Sequence, residues 1–96
     1  MKIKYTWKHL DRSESAEEYA SKKLERISKY VHKITSCEVS FEMVHNEIKV
    51  NMNLAADNSV FNAHDVNKDI YSAIDGLDSK IERQLNRFHD KKVAHT

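Results

Sequence analysis

Two stretches of this chain carry apolar residues at helical spacing, and the segments around them alternate instead. Ala16, Ala20, Leu24, Ile27 and Val31 follow one another at steps of four, four, three and four, one stripe along an α-helix. Ile70, Ile74, Leu77, Ile81, Leu85 and Phe88 keep the same rhythm for about five turns. Between the two, Cys37, Val39, Phe41 and Met43 alternate with Glu38, Ser40 and Glu42, and Ile48, Val50, Met52 and Leu54 alternate with Lys49, Asn51 and Asn53. A third run around Val60 to His64 and a short N-terminal one through Ile3, Tyr5 and Trp7 share that period of two. The switch of period predicts an α+β fold in the order β-α-β-β-β-α, a four-stranded sheet with both helices packed on one face. Crossover through the first helix should make the first two strands parallel and the connection right-handed, leaving the last three as a meander. The outward Glu, Ser, Lys and Asn residues suit a second face open to water.

Punctuation agrees with this order. Ser13 is placed to cap the first helix, with Glu14, Glu17 and Glu18 against the positive end of its dipole. Asn67 is the expected cap of the second, with Asp69 in the first turn. His45-Asn46 and Asp57-Asn58 carry the turns between the alternating runs. The chain has one glycine and no proline, which excludes Gly-rich phosphate loops and Pro-rich or collagen-like segments.

Ninety-six residues suit one domain, 1–96, with 93–96 expected as a frayed tail. A lone Cys37 excludes a disulfide framework and points to a reducing compartment. No apolar run nears the roughly 18 residues of a membrane span, and the N-terminus lacks the apolar stretch of a signal peptide. A cytoplasmic protein without membrane contact is expected. Six histidines show no His-x-His or His-x-x-x-His pair, so no metal and no cofactor is expected. Cys37 lies on the apolar side of its strand, and Asp69 and Asp75, six apart, fall about 240° from each other on a helix. Neither arrangement supports catalysis, and the chain reads as no enzyme.

The net charge of +1 conceals an uneven distribution. Lys22, Lys23, Arg26, Lys29 and Lys33 cluster with Glu25 as the only anion of that stretch. Lys80, Arg83, Arg87, Lys91 and Lys92 cluster with only Glu82 and Asp90. Lys22, Arg26, Lys29 and Lys33 step by four, three and four, a stripe opposite the apolar one, and Lys80, Arg83, Arg87 and Lys91 form another. Two helices on one sheet face turn their outer sides the same way, so the stripes are expected to merge into a cationic surface suited to phosphate backbones. Gly76, inside the second helix, suggests close backbone approach, to a neighbour such as the first helix or to RNA.

The second helix also carries a motif. Asp69, Tyr71, Ala73-Ile74-Asp75-Gly76-Leu77, Lys80, Arg83-Gln84-Leu85 and Arg87 resemble the signature of the ribosome hibernation promoting factors, the family that includes the ribosome-associated inhibitor protein Y. Ile3, Thr6, Ser13, Lys23, Arg26, Tyr30, Lys33 and Ile34 extend the match, while the strands from Ser40 to Asn58 agree only in pattern. The resemblance is to a short form and implies a fold like that of double-stranded-RNA-binding domains. It also implies a stress or stationary-phase protein that binds the small ribosomal subunit in its mRNA and tRNA channel, contacts ribosomal RNA, competes with mRNA and tRNA and so inhibits translation. Carried over by position, the RNA contacts are Lys23, Arg26, Lys33, Lys80, Arg83 and Arg87; Lys22, Lys29, Lys91 and Lys92 join them from the stripes. A monomer when free is expected. The family commonly has glycine at Trp7 and Asn67, which puts the shape of the first loop in question. The alternative is a protein-interaction module that modulates transcription machinery through its open sheet face or an edge strand.

Overall fold

The computed structural model describes residues 1–94, with side chains through Phe88. Strand β1 (Lys4–Lys8) leads into α1 (Glu14–Leu24), which tightens into a 3-10 turn, Glu25–Lys29. Strands β2 (Ile34–Val44), β3 (Glu47–Ala56) and β4 (Ser59–Asn67) follow, and α2 (Ile70–Ala94) closes the order. The sheet runs β1-β2-β3-β4. Strands β1 and β2 are parallel, Tyr5 opposite Val39, and the two later pairings are antiparallel. The architecture is the α+β fold that the periodicities predict.

Alternation decides the covered face. Val39, Phe41, Val50, Met52 and Leu54 are fully buried and meet Ala16, Ala20, Leu24 and Ile27 from the first helical segment. Ala73, Ile74, Leu77, Ile81 and Leu85 complete the core from α2, which packs over β4 and β3. Met43 departs from the inward face expected of it and is 36% exposed, because β2 and β3 run on toward their turn past the rest of the core.

Both hairpins turn without glycine. His45 (φ 49°) and Asn46 (φ 62°), and then Asp57 (φ 51°) and Asn58 (φ 61°), occupy the left-handed region that a two-residue type I′ turn needs at both positions. Asparagine tolerates that region because its short amide bonds locally. Trp7 does not take it; the left-handed residue after β1 is His9, at φ 56°. The Trp7 ring stacks on Phe41, 4.2 Å between centroids, and its indole N–H donates to Glu17 Oε2 at 2.8 Å. Arg12 Nε donates to the same oxygen at 2.9 Å, so the loop between β1 and α1 is held from both sides.

Ser13 caps α1 as expected, accepting from Ala16 N–H. The cap of α2 is Asp69 rather than Asn67: its Oδ2 accepts from the backbone N–H and the hydroxyl of Ser72, at 2.9 and 2.8 Å. Asn67 instead accepts from Asp69 N–H, bending the chain into the cap. The expected fraying at 93–96 falls outside the described side chains.

Candidate nucleic-acid interface

The two helices run side by side in the same direction, joined by a polar seam. Tyr19 donates to Asp75 Oδ1 at 2.6 Å, and Lys23 Nζ lies 3.5 Å from the same oxygen. Arg26 Nη2 donates to Asp78 Oδ2 at 2.6 Å and lies 3.8 Å from Glu82 Oε2. Tyr30 donates to Glu82 Oε1 at 2.9 Å. Asp75, Asp78 and Glu82 step by three and four along one flank of α2, so helical geometry alone lines them up. Asp78 is the buried member, 4% exposed. Desolvation raises its carboxyl above the usual range despite the guanidinium beside it, while the bond to Asp78 raises Arg26 further. The hydrogen bonds to Asp75 and Glu82 raise the Tyr19 and Tyr30 hydroxyls.

This seam corrects the expected merging of the two basic stripes. An acidic row stands between them and engages Lys23 and Arg26. The first stripe is also not one helical row. Lys22 is exposed on α1, Arg26 and Lys29 sit in the 3-10 turn, and Lys33 lies beyond it in the loop before β2. That loop is pinned by Asp57, whose carboxylate accepts from the N–H groups of His32 and Lys33, while its own N–H donates to the Lys33 carbonyl at 2.9 Å.

The second stripe survives as a row along the other flank of α2, above the free edge of β4. Lys80 Nζ donates to the His64 carbonyl at 2.9 Å and pairs with Asp65 Oδ1 at 2.9 Å. Arg83 and Arg87 are exposed and make no ion pair among the described residues. With Asn62, His64 and Gln84 these three cations line an open cleft of about 430 Å³. Gln84 Nε2 donates to the Asn62 carbonyl at 2.6 Å, so α2 also occupies two carbonyls of the edge strand. The side chains of Lys91 and Lys92 lie outside the described residues.

Gly76 faces neither the first helix nor open space. A side-chain carbon there would collide with the Asp65 carboxylate, which occupies the gap and reaches Lys80. The sequence reading missed Asp78 and Glu82 as partners of Arg26, although their spacing from Asp75 was legible as one helix flank. Burial pushes the Cys37 thiol up to about 11, leaving it protonated at neutral pH. Among the described residues no three His, Cys, Asp or Glu side chains gather as metal ligands, and no helix is long and apolar enough to cross a membrane.

Comparison with known proteins matches residues 3–93 to the family described as Sigma 54 modulation protein / S30EA ribosomal protein. The chain is 27% identical over 94 residues to the ribosome hibernation promoting factor of Pseudomonas putida, covering 98% of this chain and 92% of that protein. It is 25% identical over 95 residues to the ribosome hibernation promoting factor of Escherichia coli (strain K12), across 99% of this chain and 100% of the other. Among solved structures it is similar to a ribosomal subunit interface protein from Coxiella burnetii, with TM-score 0.80 and 27% identity over 92% of this chain and 97% of that one.

Proposed function

Since the chain belongs to the Sigma 54 modulation protein / S30EA ribosomal protein family, the non-enzymatic ribosome hibernation factors, we propose that it silences idle ribosomes by occupying the mRNA and tRNA channel of the small subunit. The observation that carries this reading is the row of Lys80, Arg83 and Arg87 over the β4 cleft, cationic and built on a rigid helix. Phosphate backbones are held by cations so arranged, without reading bases. Lys22, Lys29 and Lys33, exposed beyond the seam, extend the contact. Inhibition then follows from occlusion: a domain seated in the channel and the message or tRNA cannot be there together. The protein acts in the cytoplasm, as a monomer, on ribosomes not yet engaged.

The experiment is competition on purified small subunits. The protein should block initiation on empty subunits, excess mRNA with initiator tRNA should relieve the block, and ribosomal RNA should emerge uncut. Arg83→Glu/Arg87→Glu is the informative variant, because Lys80→Glu would set a second carboxylate against Asp65 and disturb the fold. It should fold as the parent does and leave translation running. Inhibition that tRNA and mRNA relieve at no concentration, or unchanged binding by the variant, would overturn the reading.

A further inference from the structure

Arg26 is expected on ribosomal RNA, yet it is tied to an acid inside the protein. The acid is Asp78, the buried charged side chain of the core, reached by Arg26 Nη2 at 2.6 Å. Burying such a pair is a poor route to stability, since apolar residues of similar volume commonly do as well or better. The pair does have a geometric consequence. The α-helix has ended at Leu24, so Arg26 stands on a 3-10 turn that does not continue the outer row begun by Lys22. Its direction is set across the seam, by Asp78 and, at 3.8 Å, by Glu82. Both contacts fall on Nη2, and 52% of the side chain stays exposed. A guanidinium has five N–H donors, so a single anchored nitrogen leaves others to give.

We propose that Asp78 is a positioning residue: it anchors one nitrogen of Arg26 so that the rest of the fork is held ready for a ribosomal RNA phosphate. The inference rests on the phosphate-binding reading above. It resolves the neutralisation of Arg26 at the seam: the internal acid orients the cation at the cost of part of its charge. Preorganised forks lose less freedom on binding, which is where bidentate arginine contacts gain. Lys23 offers a contrast within the same seam. Its partner Asp75 is half exposed, and an ammonium is a point charge that needs no orientation.

Electrostatics alone and positioning predict opposite signs. Removing the charge of Asp78 makes the helical face more positive, so electrostatics alone would tighten RNA binding. Positioning requires that Asp78→Ala weaken it. Affinity for purified small subunits is measured in a potassium chloride series for the parent, Asp78→Ala, Asp78→Asn, Arg26→Ala and the double variant, all below their melting temperatures. Asp78→Ala should bind roughly five- to tenfold more weakly, with the log–log salt slope reduced by roughly 0.7–0.9, the share of one phosphate contact. Asp78→Asn, whose amide oxygen still accepts from Nη2, should restore most of the affinity. In the Arg26→Ala background Asp78→Ala should change nothing further, whereas a merely structural role would add to the loss. If Asp78→Ala does not fold, Arg26→Lys serves, since it keeps the charge without the fork and should weaken binding as Asp78→Ala would. Tighter or unchanged binding by Asp78→Ala, or by Arg26→Lys where it stands in, overturns the proposal. If Arg83→Glu/Arg87→Glu also binds as the parent does, phosphate binding itself has failed; if that variant loses binding and Asp78→Ala does not, only the positioning role has failed.

Discussion

A glycine in the middle of a helix costs about 1 kcal/mol against alanine, and at Gly76 the vacated space is filled by a carboxylate from the sheet. Because the obstructing atoms belong to the end of the Asp65 side chain, a methyl group can be admitted by rotating that carboxylate away from Lys80. Gly76→Ala should therefore change stability by less than about 1 kcal/mol, the gain in helix propensity offsetting a part-exposed ion pair. Urea melts check this, and a loss above about 3 kcal/mol would mean that the β4 backbone itself had to move. Titratable residues give a second expectation. The bonds from Ser72 hold Asp69 below its ordinary 3.8, and the bond from Arg12 holds Glu17 below 4.5. Each contributes stability that is present above the unfolded value and lost as pH falls through the folded one. Asp78 is shifted upward, so its contribution has the opposite sign and returns stability on acidification. Asp78→Asn removes that opposing contribution. Between pH 7 and the carboxylate range this variant should lose more stability than the parent, as read from urea melts at both ends.

At the scale of elements, the change from α-helix to 3-10 turn after Leu24 has a packing cause. Leu24 and Ile27 are fully buried and Tyr30 is half-buried with its hydroxyl on Glu82, and these three recur every third residue. A 3-10 turn aligns residues three apart, so it presents all three to α2, where continued α-helix would rotate Tyr30 away. In α2 the apolar stripe carries the core. Leu77→Ala should cost about 2–5 kcal/mol through lost burial and the cavity left behind. Met43→Ala, at an exposed strand end, should cost under about 1 kcal/mol. Equal losses for the two in urea melts would show that the strand ends are packed as firmly as the helix.

Across the whole molecule charge is laid out in bands, from the cations of α1 and its 3-10 turn, through the acidic seam, to the cationic row over β4. Salt should weaken binding to the small subunit, but the cations will not contribute alike. Arg83→Ala and Arg87→Ala should each reduce the log–log salt slope by roughly 0.7–0.9, because each releases a phosphate that it had neutralised. Lys23→Ala should reduce it less, since Asp75 already stands 3.5 Å from that ammonium. Sedimentation with small subunits at several salt concentrations measures all three, and an equal drop for Lys23 would show that the seam opens when RNA binds. The free edge of β4 has a separate design. Gln84 and Lys80 occupy the Asn62 and His64 carbonyls, which blunts an edge that could otherwise recruit a strand and disfavours the transcription-module alternative in its edge-strand form.

Sequence by itself determined the order of elements, the parallel first pair, both hairpin turns and nearly the whole core, because each follows from the period of one short segment. The row of Lys80, Arg83 and Arg87 was legible for the same reason: residues three and four apart on one helix must share a flank. The 3-10 turn was only half legible, since Leu24, Ile27 and Tyr30 recur at three while Leu24, Ile27 and Val31 fit an α-helix equally well. Tertiary structure alone decided that Lys23 and Arg26 meet Asp75 and Asp78, and that the space at Gly76 belongs to Asp65. Those pairings join residues some fifty and eleven positions apart, set by how the helices rest on the sheet. Periodicity says which flank of a helix is polar; only packing says what that flank will face.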